Sequence, residues 1–97
     1  MHYVYILFSE KAGRYYTGET YDVAERLERH NTGYYDEKWT ESGKPWRLVL
    51  AIECTDKKQA LCIERHIKAM KSKKYIENLV QYPEMVEKLK ARFAQED

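Results

Sequence analysis

The sequence predicts an α+β domain with a small three-stranded antiparallel sheet flanked by helices, in the order β-β-α-β-α-α-α. Three observations predict this fold. The N-terminal run HYVYILF has apolar residues at both odd- and even-numbered positions, as in a strand that is covered on both faces. Two further β-rich runs, RYYTGE and WRLVLAIEC, occupy residues 14–19 and 46–54. The chain that follows them has the apolar spacing of helices.

The chain of 97 residues predicts a single domain over residues 1–97, with a core over about 2–80 and a C-terminal helix over about 83–94. A hydrophobic fraction of 43% with 34% charged residues is typical of a soluble protein. No apolar run approaches the roughly 20 residues that span a bilayer, and the N-terminus lacks the features of a signal peptide. We therefore expect a cytoplasmic protein without a membrane partner, and the sequence does not predict an oligomeric state.

The first two strands predict an antiparallel hairpin, because SEKAG between them supplies a turn. Asp22 and Glu25 then have the spacing of a capping box, and VAERLERHN continues as a helix over about residues 22–31. Residues 32–45 contain turn formers without a sustained period and predict a surface loop. Its aromatic side chains either stack on bases or fold back over the core. They are Tyr34, Tyr35 and Trp39.

Three helices are predicted after the third strand. TDKKQALCIERHIKAMK, residues 55–71, has apolar residues at helical spacing, with Thr55 or Asp56 as its N-cap. KKYIENLV predicts a short helix, and Pro83 suits the first position of the last one.

Cysteine usage and net charge limit the classes of function. Cys54 and Cys62 have no partner ligands at zinc spacing, so we expect free thiols and no structural metal site. The formal net charge of +1 argues against a histone-like mode of nucleic-acid binding but leaves a local basic face open.

Two polar residues of the first predicted helix fall beside its inward apolar stripe. Val23 and Leu27 define that stripe on a helical wheel, and Arg26 and His30 lie next to it. Arg26 either covers the sheet with its apolar stem or serves a site, and His30 either packs or serves the same site.

Glu64 lies at the edge of the apolar stripe of the second predicted helix. It either pairs with Lys68 at i+4 or binds a ligand. The basic stretch ERHIKAMKSKK, residues 64–74, is either a solvated helix face or a stripe that follows phosphates.

Taken in chain order, these residues form the pattern of a known family. YVY at residues 3–5 is followed about ten residues later by YTG at 16–18, and then by Arg26, His30 and Glu64. The pattern resembles the GIY-YIG endonuclease family, in particular its small stand-alone bacterial members. The likeness covers roughly residues 2–80, which is the predicted core.

The resemblance implies a phosphodiesterase that acts on DNA with one Mg²⁺ or Mn²⁺ ion. Carried over to this chain, it implies catalytic Tyr5, Tyr16, Arg26 and His30 and the metal ligand Glu64. Beyond the resemblance, we expect Gly18, Lys68 and Lys71 to bind substrate. A free tyrosine is only about 0.1% ionised at neutral pH, so Tyr16 needs a nearby cation or a base. Arg26 supplies such a cation, and its planar donors match phosphate oxygens. The alternative is a nucleic-acid-binding or protein-interaction module that keeps the fold without cutting.

A shared site for Tyr5 and Tyr16 requires a particular hairpin register. Directly opposed residues of an antiparallel pair share a face, so positions of opposite parity, such as 5 and 16, should lie across from one another. A register that pairs 5 with 17 would aim the two tyrosines apart.

Overall fold

Three strands and four helices form in the order that the sequence predicts. The computed structural model describes residues 1–32 and 41–94. Within these ranges the elements are β1 (His2–Ser9), β2 (Arg14–Thr20), α1 (Val23–Thr32), β3 (Arg47–Cys54), α2 (Lys57–Met70), α3 (Lys73–Gln81) and α4 (Pro83–Arg92). The three loop aromatic residues Tyr34, Tyr35 and Trp39 lie outside the described residues. In the described part of the chain, none of the helices has the length and apolar character needed to cross a membrane.

β1 is the central strand of an antiparallel sheet with the order β2-β1-β3. Four successive residues of β1, Val4 to Leu7, are fully buried. This burial on both faces is what the apolar residues at both parities predict. A register shift between Ile6 and Leu7 marks an irregularity in the pairing of β1 with β3.

Helices cover both faces of the sheet and create two core clusters. Val4 and Ile6 point to the face covered by α2, α3 and α4, where they pack with Ile52, Ile63 and other residues of the larger cluster. Tyr5 and other odd-numbered residues of β1 point to the opposite face and pack against α1. Each aliphatic side chain that is fully buried contributes about 1.5–3 kcal/mol, so the larger cluster supplies most of the hydrophobic stabilisation.

Side-chain caps set the starts of the helices. The Asp22 Oδ1 atom accepts a hydrogen bond of 3.1 Å from the Glu25 amide, so α1 begins one residue after its predicted first residue. Asp56, the second of the two predicted candidates, caps α2 by accepting from the Gln59 amide at 2.8 Å. Pro83 occupies the first turn of α4, as predicted.

The register of the hairpin places both site tyrosines on one face of the sheet. Tyr5 lies opposite Gly18, and Tyr16 lies opposite Leu7, so the predicted parity is confirmed. The pair of residues 5 and 16 given as an example is not formed, because the register differs by two residues. A four-residue turn separates the strands, in which the amide of Gly13 donates to the Ser9 carbonyl at 2.8 Å.

Candidate active site

An aromatic cluster lies between α1 and the sheet face that carries the odd-numbered residues of β1. The ring centroids of Tyr16 and His30 are 4.4 Å apart, and those of Tyr5 and Tyr16 are 6.1 Å apart. Trp46, at the start of β3, adds an edge contact with Tyr16 at 6.3 Å. The structure thus brings together three residues that the sequence assigns to one site, Tyr5, Tyr16 and His30.

Gly18 determines where the ring of Tyr5 lies. A methyl group added at Gly18 would stand 2.6 Å from the Tyr5 hydroxyl oxygen and 2.7 Å from the ring carbon that bears it. No side chain larger than hydrogen fits there without moving the tyrosine. Packing therefore accounts for the glycine, and its assignment as a substrate-binding residue stays a prediction.

His30 is a buried and neutral imidazole. Its Nε2 atom and the Tyr5 hydroxyl share a hydrogen bond of 3.1 Å, and the residue is 2% exposed. Burial, and secondarily the charge of Arg26, lowers the pKa of His30 from 6.5 to about 4. The ring is therefore uncharged at neutral pH.

Arg26 lies one helical turn before His30, on the same side of α1. Its guanidinium is close enough to His30 to disfavour protonation of the imidazole. Arg29 is directed elsewhere and forms an ion pair with Glu25 along α1. Arg26 therefore places a positive charge beside the aromatic cluster.

Asn31 and Trp46 are two residues of this site that the sequence analysis missed. The side chain of Asn31 accepts from the Trp46 amide at 2.6 Å and donates to the Trp46 carbonyl at 2.9 Å. This pair of hydrogen bonds joins the end of α1 to the start of β3. The signal in the sequence is weak: an amide side chain directly after His30, with its partner fifteen residues further on.

A cleft of about 530 Å³ opens beside Tyr16, between β2 and the junction of α2 with α3. Because β2 is an edge strand, Tyr16 borders both this cleft and the aromatic cluster. Lys68 and Lys71 line the cleft, so both predicted substrate-binding lysines lie next to a predicted catalytic tyrosine.

Glu64 lies in the other layer of the fold, away from the sheet face that carries the aromatic cluster. It lies on α2, whose buried residues pack on the sheet face opposite α1. Its carboxylate is 18% exposed and pairs with the Lys68 ammonium at 3.3 Å, one of the two alternatives that the sequence left open. Since Lys68 lines the cleft beside Tyr16, Glu64 is connected to the site through its ion-pair partner, and its role as a metal ligand stays a prediction.

The donor chemistry fits a weakly held divalent ion. Over residues 1–32 and 41–94, no group of three His, Cys, Asp or Glu side chains is arranged to hold a metal. A single carboxylate such as Glu64 suits Mg²⁺, which binds oxygen ligands and commonly retains several waters. The free cysteines play no part in it, since Cys54 is buried in the larger core cluster and Cys62 is partly buried.

Comparisons with known proteins give one family. The chain matches the model of the GIY-YIG catalytic domain over residues 1–76. It is 37% identical over 83 residues to a UPF0213 protein of Syntrophus aciditrophicus, covering 84% of this chain and 93% of the relative. It is 38% identical over 73 residues to a UPF0213 protein of Halalkalibacterium halodurans, covering 75% of this chain and 76% of that relative. No solved structure matches the chain significantly.

Proposed function

The chain belongs to the GIY-YIG family and has a nuclease fold, and on that premise we propose that it is a metal-dependent DNA endonuclease that hydrolyses phosphodiester bonds. One observation carries the proposal: Tyr5, Tyr16 and His30 converge on one face of the sheet with Arg26 beside them. A cationic cleft adjoins Tyr16.

Tyr16 acts in the activation of the attacking water. Tyr16 borders the cleft, as Tyr15 does, but it is the one of the two whose ring packs on His30 in the aromatic cluster. A phenol with a pKa of about 10 is a weak base at neutral pH unless a cation stabilises its ionised form. Arg26 is that cation, and its fixed fork of donors stabilises the negative charge on the phosphorane oxygens.

His30 positions Tyr5 and does not act as the general base. An imidazole with a pKa of about 4 is a poor general base near neutral pH, because an effective base has a pKa close to the working pH. Its hydrogen bond to Tyr5 instead fixes the phenol ring on which Tyr16 packs. The neutral ring also leaves Arg26 as the positive charge beside the tyrosines.

Glu64 is the residue proposed to hold one Mg²⁺ or Mn²⁺ ion. When bound, such an ion supplies Lewis acidity to the phosphate oxygens. To hold the ion, Glu64 would release its ion pair with Lys68. Lys68 is then available to a phosphate of the DNA, which offers the compensating negative charge.

The proposal is tested by incubating the protein with single-stranded, duplex, flap and branched DNA in Mg²⁺ or Mn²⁺. We expect cleavage of at least one substrate, its loss on chelation, and a decrease of roughly 10- to 100-fold for Glu64→Gln. Glu77→Gln is the matched control, because Glu77 is exposed on α3. Absence of cleavage by the wild type, or full activity of Glu64→Gln, contradicts the proposal.

A second candidate is a non-catalytic module that binds nucleic acid. The observation in its favour is the ion pair of Glu64 with Lys68, which occupies the one carboxylate proposed for the metal. In the same experiment this alternative predicts DNA binding without cleavage in either metal.

A further inference from the structure

The cleft between β2 and the α2–α3 junction has apolar walls. Tyr15, Ile67 and Ile76 form much of its lining, and Thr17 and Ser72 add hydroxyl groups. Its volume of about 530 Å³ falls in the range of pockets that enclose one small organic molecule. Apolar and aromatic walls of this size suit a flat, heteroaromatic group better than a bare phosphate.

The rim of the cleft is positively charged. Arg14, Lys68, Lys71 and Lys73 all line it, and none of its described lining residues is acidic. Lys73 donates to the Gly13 carbonyl at 2.6 Å, so its ammonium is held against the turn that precedes β2. Lys68 is paired with Glu64, so the charges of Arg14, Lys71 and Lys73 are the ones that favour a negatively charged ligand.

Lys71 is held at the rim by an uncommon backbone conformation. It ends α2 with φ 47° and ψ 44°, the left-handed region that glycine and asparagine adopt most readily. A lysine there costs conformational energy that its helix-capping role does not require. The conformation places the Lys71 charge beside the cleft, where it can contact a negatively charged ligand.

Together these features fit a nucleotide, with a base between the apolar walls and a phosphate at the rim. We infer that the cleft binds one unpaired nucleotide of the DNA, at the edge of the sheet that Tyr16 borders. A base inside a duplex is stacked and paired, so it enters such a cleft only when it is unpaired. The inference rests on the proposed function and narrows its substrate to DNA with a single-stranded segment.

Binding without metal tests this inference separately from cleavage. The probes are a duplex of about 20 base pairs and the same duplex with a single-stranded flap of about five nucleotides, both with a fluorescent label. With the divalent ion removed by a chelator, we expect the flap DNA to bind about ten-fold more tightly in fluorescence anisotropy. Equal affinities for the two DNA molecules overturn the inference.

Two charge variants test whether the preference for flap DNA over duplex DNA arises at the cleft. Lys71→Asn removes the charge and keeps a residue that tolerates the left-handed conformation, so the fold is retained. Lys88→Gln removes one charge from an exposed position on α4, away from the cleft. We expect only Lys71→Asn to reduce the preference for the flap, and an equal effect of both variants contradicts the assignment.

A titration of the wild-type protein with thymidine 5′-monophosphate gives a direct readout that needs no variant. We expect the largest changes in backbone amide chemical shift at Thr17, Lys71 and Ser72. Changes confined to another surface, or none at all, overturn the inference.

If flap binding is observed without cleavage in Mg²⁺ or Mn²⁺, the binding site stands and the endonuclease proposal fails. If duplex and flap DNA are bound equally and cleaved equally, the endonuclease proposal stands and the nucleotide-binding site fails.

Discussion

Tyr5 and Tyr16 lie in different environments within one small site. Tyr5 is fully buried, its ring packs directly against Gly18, and its hydroxyl shares a hydrogen bond with His30. Tyr16 is only partly buried and borders the cationic cleft. In the proposed mechanism this difference makes Tyr5 the positioning residue and Tyr16 the residue that meets substrate.

Gly18→Ala tests the packing of Tyr5. The added methyl group clashes with the tyrosine ring, so we expect a loss of about 1–3 kcal/mol in the free energy of unfolding and reduced cleavage. Gly13→Ala is the control, because its methyl group meets no atom within 4 Å and only its φ of 64° opposes the change. Urea unfolding gives both values, and an unchanged free energy for Gly18→Ala contradicts the packing argument.

The low pKa of His30 predicts a stability that depends on pH. Between pH 6.5 and about 4 the unfolded chain binds a proton at this histidine and the folded chain does not, so the stability falls as the pH falls. Above pH 6.5 His30 is neutral in both the folded and the unfolded chain, and this loss of stability is absent. By pH 4 the loss in the free energy of unfolding amounts to about 3 kcal/mol.

Urea unfolding of the wild type and of His30→Gln at pH 7.0 and pH 4.5 measures this contribution. We expect the wild type to lose more stability than the variant on acidification. His66, whose pKa burial also lowers, is present in both proteins and cancels in the comparison. Equal losses for the two proteins contradict the account of His30.

At the scale of elements, the two hydrogen bonds between Asn31 and Trp46 join the end of α1 to the start of β3, although the two residues are fifteen positions apart in the sequence. Asn31→Ala leaves the amide and carbonyl of Trp46 without these partners, which costs about 1–3 kcal/mol. Because Trp46 packs on Tyr16, we also expect slower cleavage. The control is Asn78→Ala on α3, and equal unfolding midpoints in urea for the two variants contradict the role of Asn31.

Sequence periodicity predicted the elements because its signals are local. The Asp22 and Asp56 caps, the Pro83 start and the two-sided burial of β1 each depend on neighbouring residues. The contact of Asn31 with Trp46 was not predicted, because no local pattern encodes a partner fifteen residues away.

The same limit applies to the placement of Glu64. A helical wheel gives the side of α2 on which this residue lies but not the face of the sheet that α2 covers. The register of the hairpin shows an intermediate case: its parity follows from the alternation of side chains, but the opposed pair depends on the turn.

At the scale of the whole molecule, the sheet divides the proposed machinery into two parts. α1 brings Arg26 and His30 to one face, and α2 brings Glu64 and its partner Lys68 from the other. Tyr16 lies on the edge strand β2, between the aromatic cluster and the cleft. The proposed mechanism therefore depends most on the hydroxyl of Tyr16.

The most direct test is single-turnover cleavage of a DNA substrate by the wild type, Tyr16→Phe and Tyr21→Phe. Each variant loses one tyrosine hydroxyl, and Tyr21 is a suitable control because it is 68% exposed and is not among the residues that line the cleft. We predict that Tyr21→Phe cuts as the wild type does and that Tyr16→Phe, at equal stability, is slower by about 100-fold or more. Cleavage by Tyr16→Phe at the wild-type rate would contradict the account.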